Sequence, residues 1–249
     1  MDRTINNNQK MKSKIFFGLL AIALFMSSCE TESIRASDEI STRAYSFNDY
    51  TELQVSGDFD AFVRFSETEE RIEIEANDNL QDKILVSKDG NTLKIRLQNN
   101  LSVRGNATMK AYITTRNISQ YRISGDSYVE LENALLAPNV SIDVTGDSRF
   151  TGEIQAATLF VDLKGDSEVD VFGATNTLSA DLSGDSELKD YDMSVEDLIL
   201  ELSGDSEAFL SVSETIDVDA SGDSVLNYRG DADIIRQRLS GDSRIQKRD

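Results

Sequence analysis

The feature that most constrains this chain is a tripeptide, Gly-Asp-Ser, written seven times at nearly even spacing. It begins at Gly125, Gly146, Gly165, Gly184, Gly204, Gly222 and Gly241, at intervals of 21, 19, 19, 20, 18 and 19 residues. The residues two before each Gly are Ile123, Val144, Leu163, Leu182, Leu202, Ala220 and Leu239. Four before stand Tyr121, Ile142, Val161, Ala180, Leu200, Val218 and Gln237. The positions between are polar, as at Asp143, Asp162, Asp181, Glu201 and Asp219. Alternation of this kind is a strand with one face buried and one face wet. Four residues after the Gly an apolar column resumes with Val129, Phe150, Val169, Leu188, Ala208, Leu226 and Ile245.

Column-wise identity at a fixed period means stacked units. A unit of about 19 residues, at ~3.3 Å per extended residue, traces a loop of roughly 60 Å. That suits one coil of a parallel β-helix, each coil pairing with its neighbours about 4.8 Å away. Gly at the corner supplies a positive φ, and Asp or Ser can fix the bend by bonding nearby backbone. An antiparallel meander with Gly-Asp hairpin turns is the competing geometry. Near-constant unit length favours the coil.

Residues 45 to 115 are less regular. "LQVSGDFDAFVRF" holds a degenerate copy, with Leu53, Val55, Gly57, Asp58 and Ala61 on the same columns. A strand follows, then a turn or helical segment around Asn77 to Gln81, then two strands joined at Asp89-Gly90-Asn91. Phe47, Phe59, Phe62 and Phe65 suit a packed first coil, and Tyr112, Tyr121 and Tyr128 could line a groove.

The amino terminus carries an address. Lys12 and Lys14 precede a 12-residue apolar run, Ile15 to Met26, followed by Ser27, Ser28 and Cys29, the one cysteine. The run is short for a bilayer span and right for a signal peptide. Small residues before a Cys resemble a bacterial lipobox, in which Cys29 is lipidated and becomes the first mature residue. Residues 1–28 are expected to be a lipoprotein signal peptide, 29–44 a flexible tether, and 45–249 a β-helix domain, irregular over 45–115 and regular over 116–245. Loss of residues 1–28 removes four basic and one acidic residue, which takes the formal charge from -20 to -23.

Composition excludes several functions. A charge of -20 opposes nucleic acid. With no His and no Trp, a Ser-His-Asp triad and a His-ligated zinc site are ruled out. Stacked coils would place Asp126, Asp147, Asp166, Asp185, Asp205, Asp223 and Asp242 in a file. At ~4.8 Å, neighbouring carboxylates repel by about 0.9 kcal/mol in water and roughly 3.5 kcal/mol at an effective dielectric of 20. Such a file must be hydrated, bonded into its turns or neutralised by cations. A turn ladder is the first reading. A calcium site or glycan-binding module is the alternative, although neither the calcium β-roll nonapeptide nor the EF-hand spacing is present. A polysaccharide-degrading enzyme is the remote one, because a catalytic site is one irregular place and not seven copies of one feature.

The succession "SFNDYTELQVSGDFDAFVRF", "IEIEANDNLQDKILVSKDGNTLKIRL" and the "SGDS" run resembles the auto-transporter adhesin head GIN domain family over roughly residues 46 to 245. The resemblance implies a right-handed parallel β-helix, single-stranded with about 19 residues per coil, in a secreted protein or lipoprotein of the kind common in Bacteroidota. It offers no catalytic residues to carry over, and no metal or cofactor is expected. The expected protein is therefore a non-catalytic adhesive or interaction scaffold. It is an outer-membrane lipoprotein, periplasmic or surface-exposed, and is held in the membrane through Cys29. Its partner is a protein or glycan that the sequence does not identify. Arg236, Arg238, Lys247 and Arg248 near the last edge oppose edge-to-edge association, so a monomer is expected.

Overall fold

The computed structural model describes residues 32–248. Strands carry 71% of this length, with one short 3-10 turn at Asp78–Leu80. They stack in parallel as a β-solenoid of about 7 turns of roughly 19 residues.

The repeat sets the register. Gly57 lies beside Gly125, Gly125 beside Gly146, and the succession continues through Gly165 and Gly184 to Gly204. The degenerate copy is thus a true rung, with Leu53 beside Tyr121, Val55 beside Ile123 and Ala61 beside Val129. The chain runs as long strands such as Leu135–Gly146, Arg149–Gly165 and Glu168–Gly184. Each bends where pairing skips one residue, at Pro138, Ala157, Asn176 and Glu196. Intervals that depart from 19 are absorbed locally. The 20-residue interval breaks between Glu187–Lys189 and Met193–Gly204, where Asp190 takes a φ of 111°. The 18-residue interval is taken up by a register shift between Val195 and Asp197.

The aliphatic columns fill the interior. Ile123, Val144, Leu163, Leu182 and Leu202 are all buried, as are Val129, Phe150, Val169, Leu188 and Leu226. Each such side chain removes about 1.5–3 kcal/mol worth of apolar surface from water. Tyr121 lies fully inside, edge-on to Phe150 with ring centroids 5.0 Å apart, and donates its hydroxyl to the Ile118 carbonyl. It lines no groove, contrary to expectation.

The amino-terminal end is closed by antiparallel pairing. Arg71–Asn77 runs antiparallel to Met109–Thr115 on one side and to Ile40–Tyr45 on the other. Ile84–Asp89 and Thr92–Leu97 form a hairpin through Gly90, and Thr92–Leu97 continues the parallel stack beneath Glu52–Gly57. Buried polar side chains tie this end together. The Asn77 amide donates to the Ser37 carbonyl and its oxygen accepts from the Thr108 amide, while the Gln81 amide bonds the Ser41 and Ile74 carbonyls. Phe59 is buried beneath the first rung, and Phe47 and Phe65 pack against the core.

Two expectations are corrected. Residues 32 to 44 are not a free tether. Glu32–Arg35 pairs in parallel with Leu101–Arg104, and Ile40–Tyr45 is an edge strand of the main sheet. Their side chains are polar and lack periodicity because these strands lie on the outside and bury little. At the far end, Leu239 continues the inner column in register but is 39% exposed, since among the described residues no further coil covers it.

Candidate interaction surface

The Gly-Asp-Ser corner divides its work among three residues. Gly makes the bend, with φ between 72° and 88° at all seven copies. It also lets rungs approach. A Cβ on any of them would stand 2.4 to 3.0 Å from the carbonyl oxygen of the Gly one coil below, closer than real Cβ contacts allow. That carbonyl accepts the amide of the next coil's Asp, as from Asp126 to Gly57 at 2.8 Å and Asp166 to Gly146 at 3.0 Å. Ser is the internal clasp at five of the seven copies, while the buried hydroxyls of Ser167 and Ser186 have no partner among the described residues. Ser127, Ser148, Ser206 and Ser224 are buried, and their hydroxyls donate to corner carbonyls at about 3 Å, for example Ser148 to Gly125 at 2.9 Å.

The Asp side chain is the part left over. Asp126, Asp147, Asp166, Asp185, Asp205, Asp223 and Asp242 are exposed, and among the described residues none makes a side-chain hydrogen bond. The expectation that these carboxylates fix the turns is therefore corrected. Backbone and serine do that, and the carboxylates stand in solvent as an outward file. The degenerate first copy feels its neighbour: the Asp58 carboxyl is pushed up by desolvation and then by Asp126. Among the described residues no three acidic or cysteine side chains converge as a metal site would require.

Two further faces flank the file. On the strand before the corner, Asp143, Asp162, Asp181, Glu201 and Asp219 follow one another in register. Arg122 precedes them and Arg238 follows, paired to Glu52 and Asp219 respectively. Desolvation, then repulsion from Asp162, holds the Asp143 carboxyl above its ordinary range against the pull of Lys164 and Arg122. Beside this ladder Phe160 and Ile199 are nearly half exposed and line a shallow groove of about 300 Å³ with Asp162, Asp181 and Glu201. The sequence contains the signal for these two residues, since "LFV" and "LIL" break the polar alternation, but the columns alone did not single them out.

On the strand after the corner, a groove of about 540 Å³ is lined by Asp126, Asp147, Tyr128, Arg149, Glu168 and Asp170. Tyr128 donates to Glu130, and desolvation followed by the Glu130 charge pushes its phenol up to about 12. Lys189 bridges Glu168 and Glu187 at 3.2 and 3.0 Å. Tyr112 lies elsewhere, stacked on Phe62 at 5.4 Å, so the three tyrosines anticipated for one groove occupy three different places. Cys29, the expected lipidation site, lies outside the described residues.

A packed parallel solenoid whose outward columns repeat rung by rung is a scaffold that presents one chemistry many times. The chain belongs to the family described as "Putative auto-transporter adhesin, head GIN domain", which matches residues 49–232. Solved structures share the fold. A putative adhesin from Bacteroides fragilis is 19% identical, with a TM-score of 0.77 over 86% of this chain and 98% of that one. A putative lipid binding protein from Parabacteroides distasonis is 18% identical, with a TM-score of 0.71 over 88% and 100%. A putative adhesin from Parabacteroides merdae is 14% identical, with a TM-score of 0.70 over 87% and 99%. No curated protein matches the chain.

Proposed function

We propose that this protein is a lipid-anchored envelope scaffold, non-catalytic and monomeric, that stands on the outer membrane and binds a protein or glycan partner through its repeated acidic columns. The observation that carries this reading is the exposed Asp file. Seven carboxylates recur in register while the fold uses only the backbone and the serine of the same motif. Identical contacts along such a file add through multivalency, so each can be weak. The described structure begins at Glu32, three residues after Cys29. Three residues span at most about 11 Å, so a lipid on Cys29 would, on this reading, hold the amino-terminal end of the solenoid near the membrane.

Protease shaving of intact cells, probed for the folded domain, tests the outward orientation; survival of the signal would assign the periplasm. Fatty-acid labelling of the native chain against Cys29→Ser tests the anchor, and equal labelling of both would remove it. Adhesion of cells carrying asparagine at Asp147, Asp166, Asp185 and Asp205 should fall well below that of wild-type cells at equal surface abundance. Unchanged adhesion would exclude the file as the contact.

A further inference from the structure

The two ends of the solenoid are built differently. The amino-terminal end is closed by antiparallel strands, whereas the last rung is left open. Among the described residues Asp233–Leu239 pairs only with Thr215–Ala220, which leaves its other backbone edge unpaired there. Ile234 is 38% exposed and Leu239 39%, although they lie in register above Ile216 and Ala220, which are buried. An unpaired edge of this length beside uncovered apolar side chains is a template for one more strand.

Charge decides what can lie on it. Arg236 and Arg238 project from this strand, and each is held from below by a carboxylate of the preceding rung, Arg236 by Asp217 at 2.6 Å and Arg238 by Asp219 at 3.6 Å. Antiparallel pairing with the same strand of a second copy would bring four arginines together, and like charges across strands destabilise the pair. The rung beneath shows the chemistry this edge accepts: Ile216-Asp217-Val218-Asp219-Ala220, apolar inward and acidic outward. A guanidinium has five donors, enough to take a carboxylate from each side. We propose that Asp233–Leu239 is a docking edge for an extended peptide in which apolar and acidic residues alternate, laid on in parallel as one more rung. Its acidic side chains would clamp Arg236 and Arg238 from above while its apolar ones cover the open end of the core.

The site is independent of the membrane anchor, and it is tested on the full-length chain in detergent. The probe is a fluorescent peptide of sequence Thr-Ile-Asp-Val-Asp-Ala-Ser, and the control carries Lys for both Asp. We expect saturable binding of the acidic peptide, at least tenfold weaker binding of the lysine peptide, and at least tenfold loss on R236E/R238E. Amide exchange over Asp233–Leu239 should slow on peptide addition while exchange over Ile84–Asp89, an edge strand toward the opposite end, stays unchanged. That measurement uses the native chain and stands even if the double variant fails to fold. Equal binding of both peptides, no slowing over Asp233–Leu239, or equal slowing at the two ends would overturn the proposal. So would protection of Asp233–Leu239 that rises with protein concentration in the absence of peptide, which would assign the edge to a second copy.

Discussion

At the scale of single residues, the corner glycines and the acidic columns carry separable costs. Gly184 has a φ of 86°, and a Cβ there would lie 2.8 Å from the Gly165 carbonyl oxygen. Gly90 also has a positive φ, 58°, but a Cβ there meets nothing within 4 Å. Both substitutions to Ala incur the left-handed penalty of about 1–2 kcal/mol, and only the first forces two rungs apart. Urea denaturation should therefore rank Gly184→Ala well below Gly90→Ala in stability. Asp143 provides a pH test. Its folded carboxyl holds a proton more tightly than an unfolded one, so stability is lost as pH rises from the unfolded carboxylate value, about 3.9, through the higher folded value. Asp143→Asn removes that loss. The variant should be more stable than wild type at pH 7, and the gap should close as pH falls toward 4 in parallel urea titrations.

At the scale of the element, one column behaves differently according to its rung. Leu182 is completely buried between coils, whereas Leu239, two residues before its own Gly, is 39% exposed. Leu182→Ala should cost about 2–5 kcal/mol, and Leu239→Ala much less, as read from denaturation midpoints. The sequence pattern identified both as inward residues, and the pairing agrees. Position in the stack separates them, and no local pattern reports it. The same reasoning explains what the sequence left hidden elsewhere. The register from Gly57 to Gly204 was legible because each coil repeats its neighbour. The antiparallel closure by Arg71–Asn77 and Ile40–Tyr45 was not, because strands that occur once offer no second copy to align. Ile40–Tyr45 also lies on the exposed outer edge and lacks the alternation that marks a half-buried strand. For the candidate surface, the Asp file was legible as a file. That its carboxylates take no part in the turns depended on which atoms of Gly-Asp-Ser meet the next coil.

At the scale of the whole molecule, a chain of net charge -20 with carboxylates stacked on two faces works against its own repulsion. Raising ionic strength from about 0.01 M to about 0.15 M shortens the Debye length from about 30 Å to about 8 Å. The melting temperature should rise accordingly. Calcium chloride at matched ionic strength should give the same rise as sodium chloride if the file is hydrated. A further saturable rise with calcium alone would reveal a cation site along it. The interchangeability of the coils reaches further than stability. Since Gly165 and Gly184 occupy equivalent corners, excising residues 166–184 would leave Asp185 to meet Gly146 as Asp166 does now. Loss or gain of one coil-length segment can therefore shorten or lengthen the column one storey at a time, which makes the reach of the solenoid a quantity that inheritance can adjust without redesigning the protein.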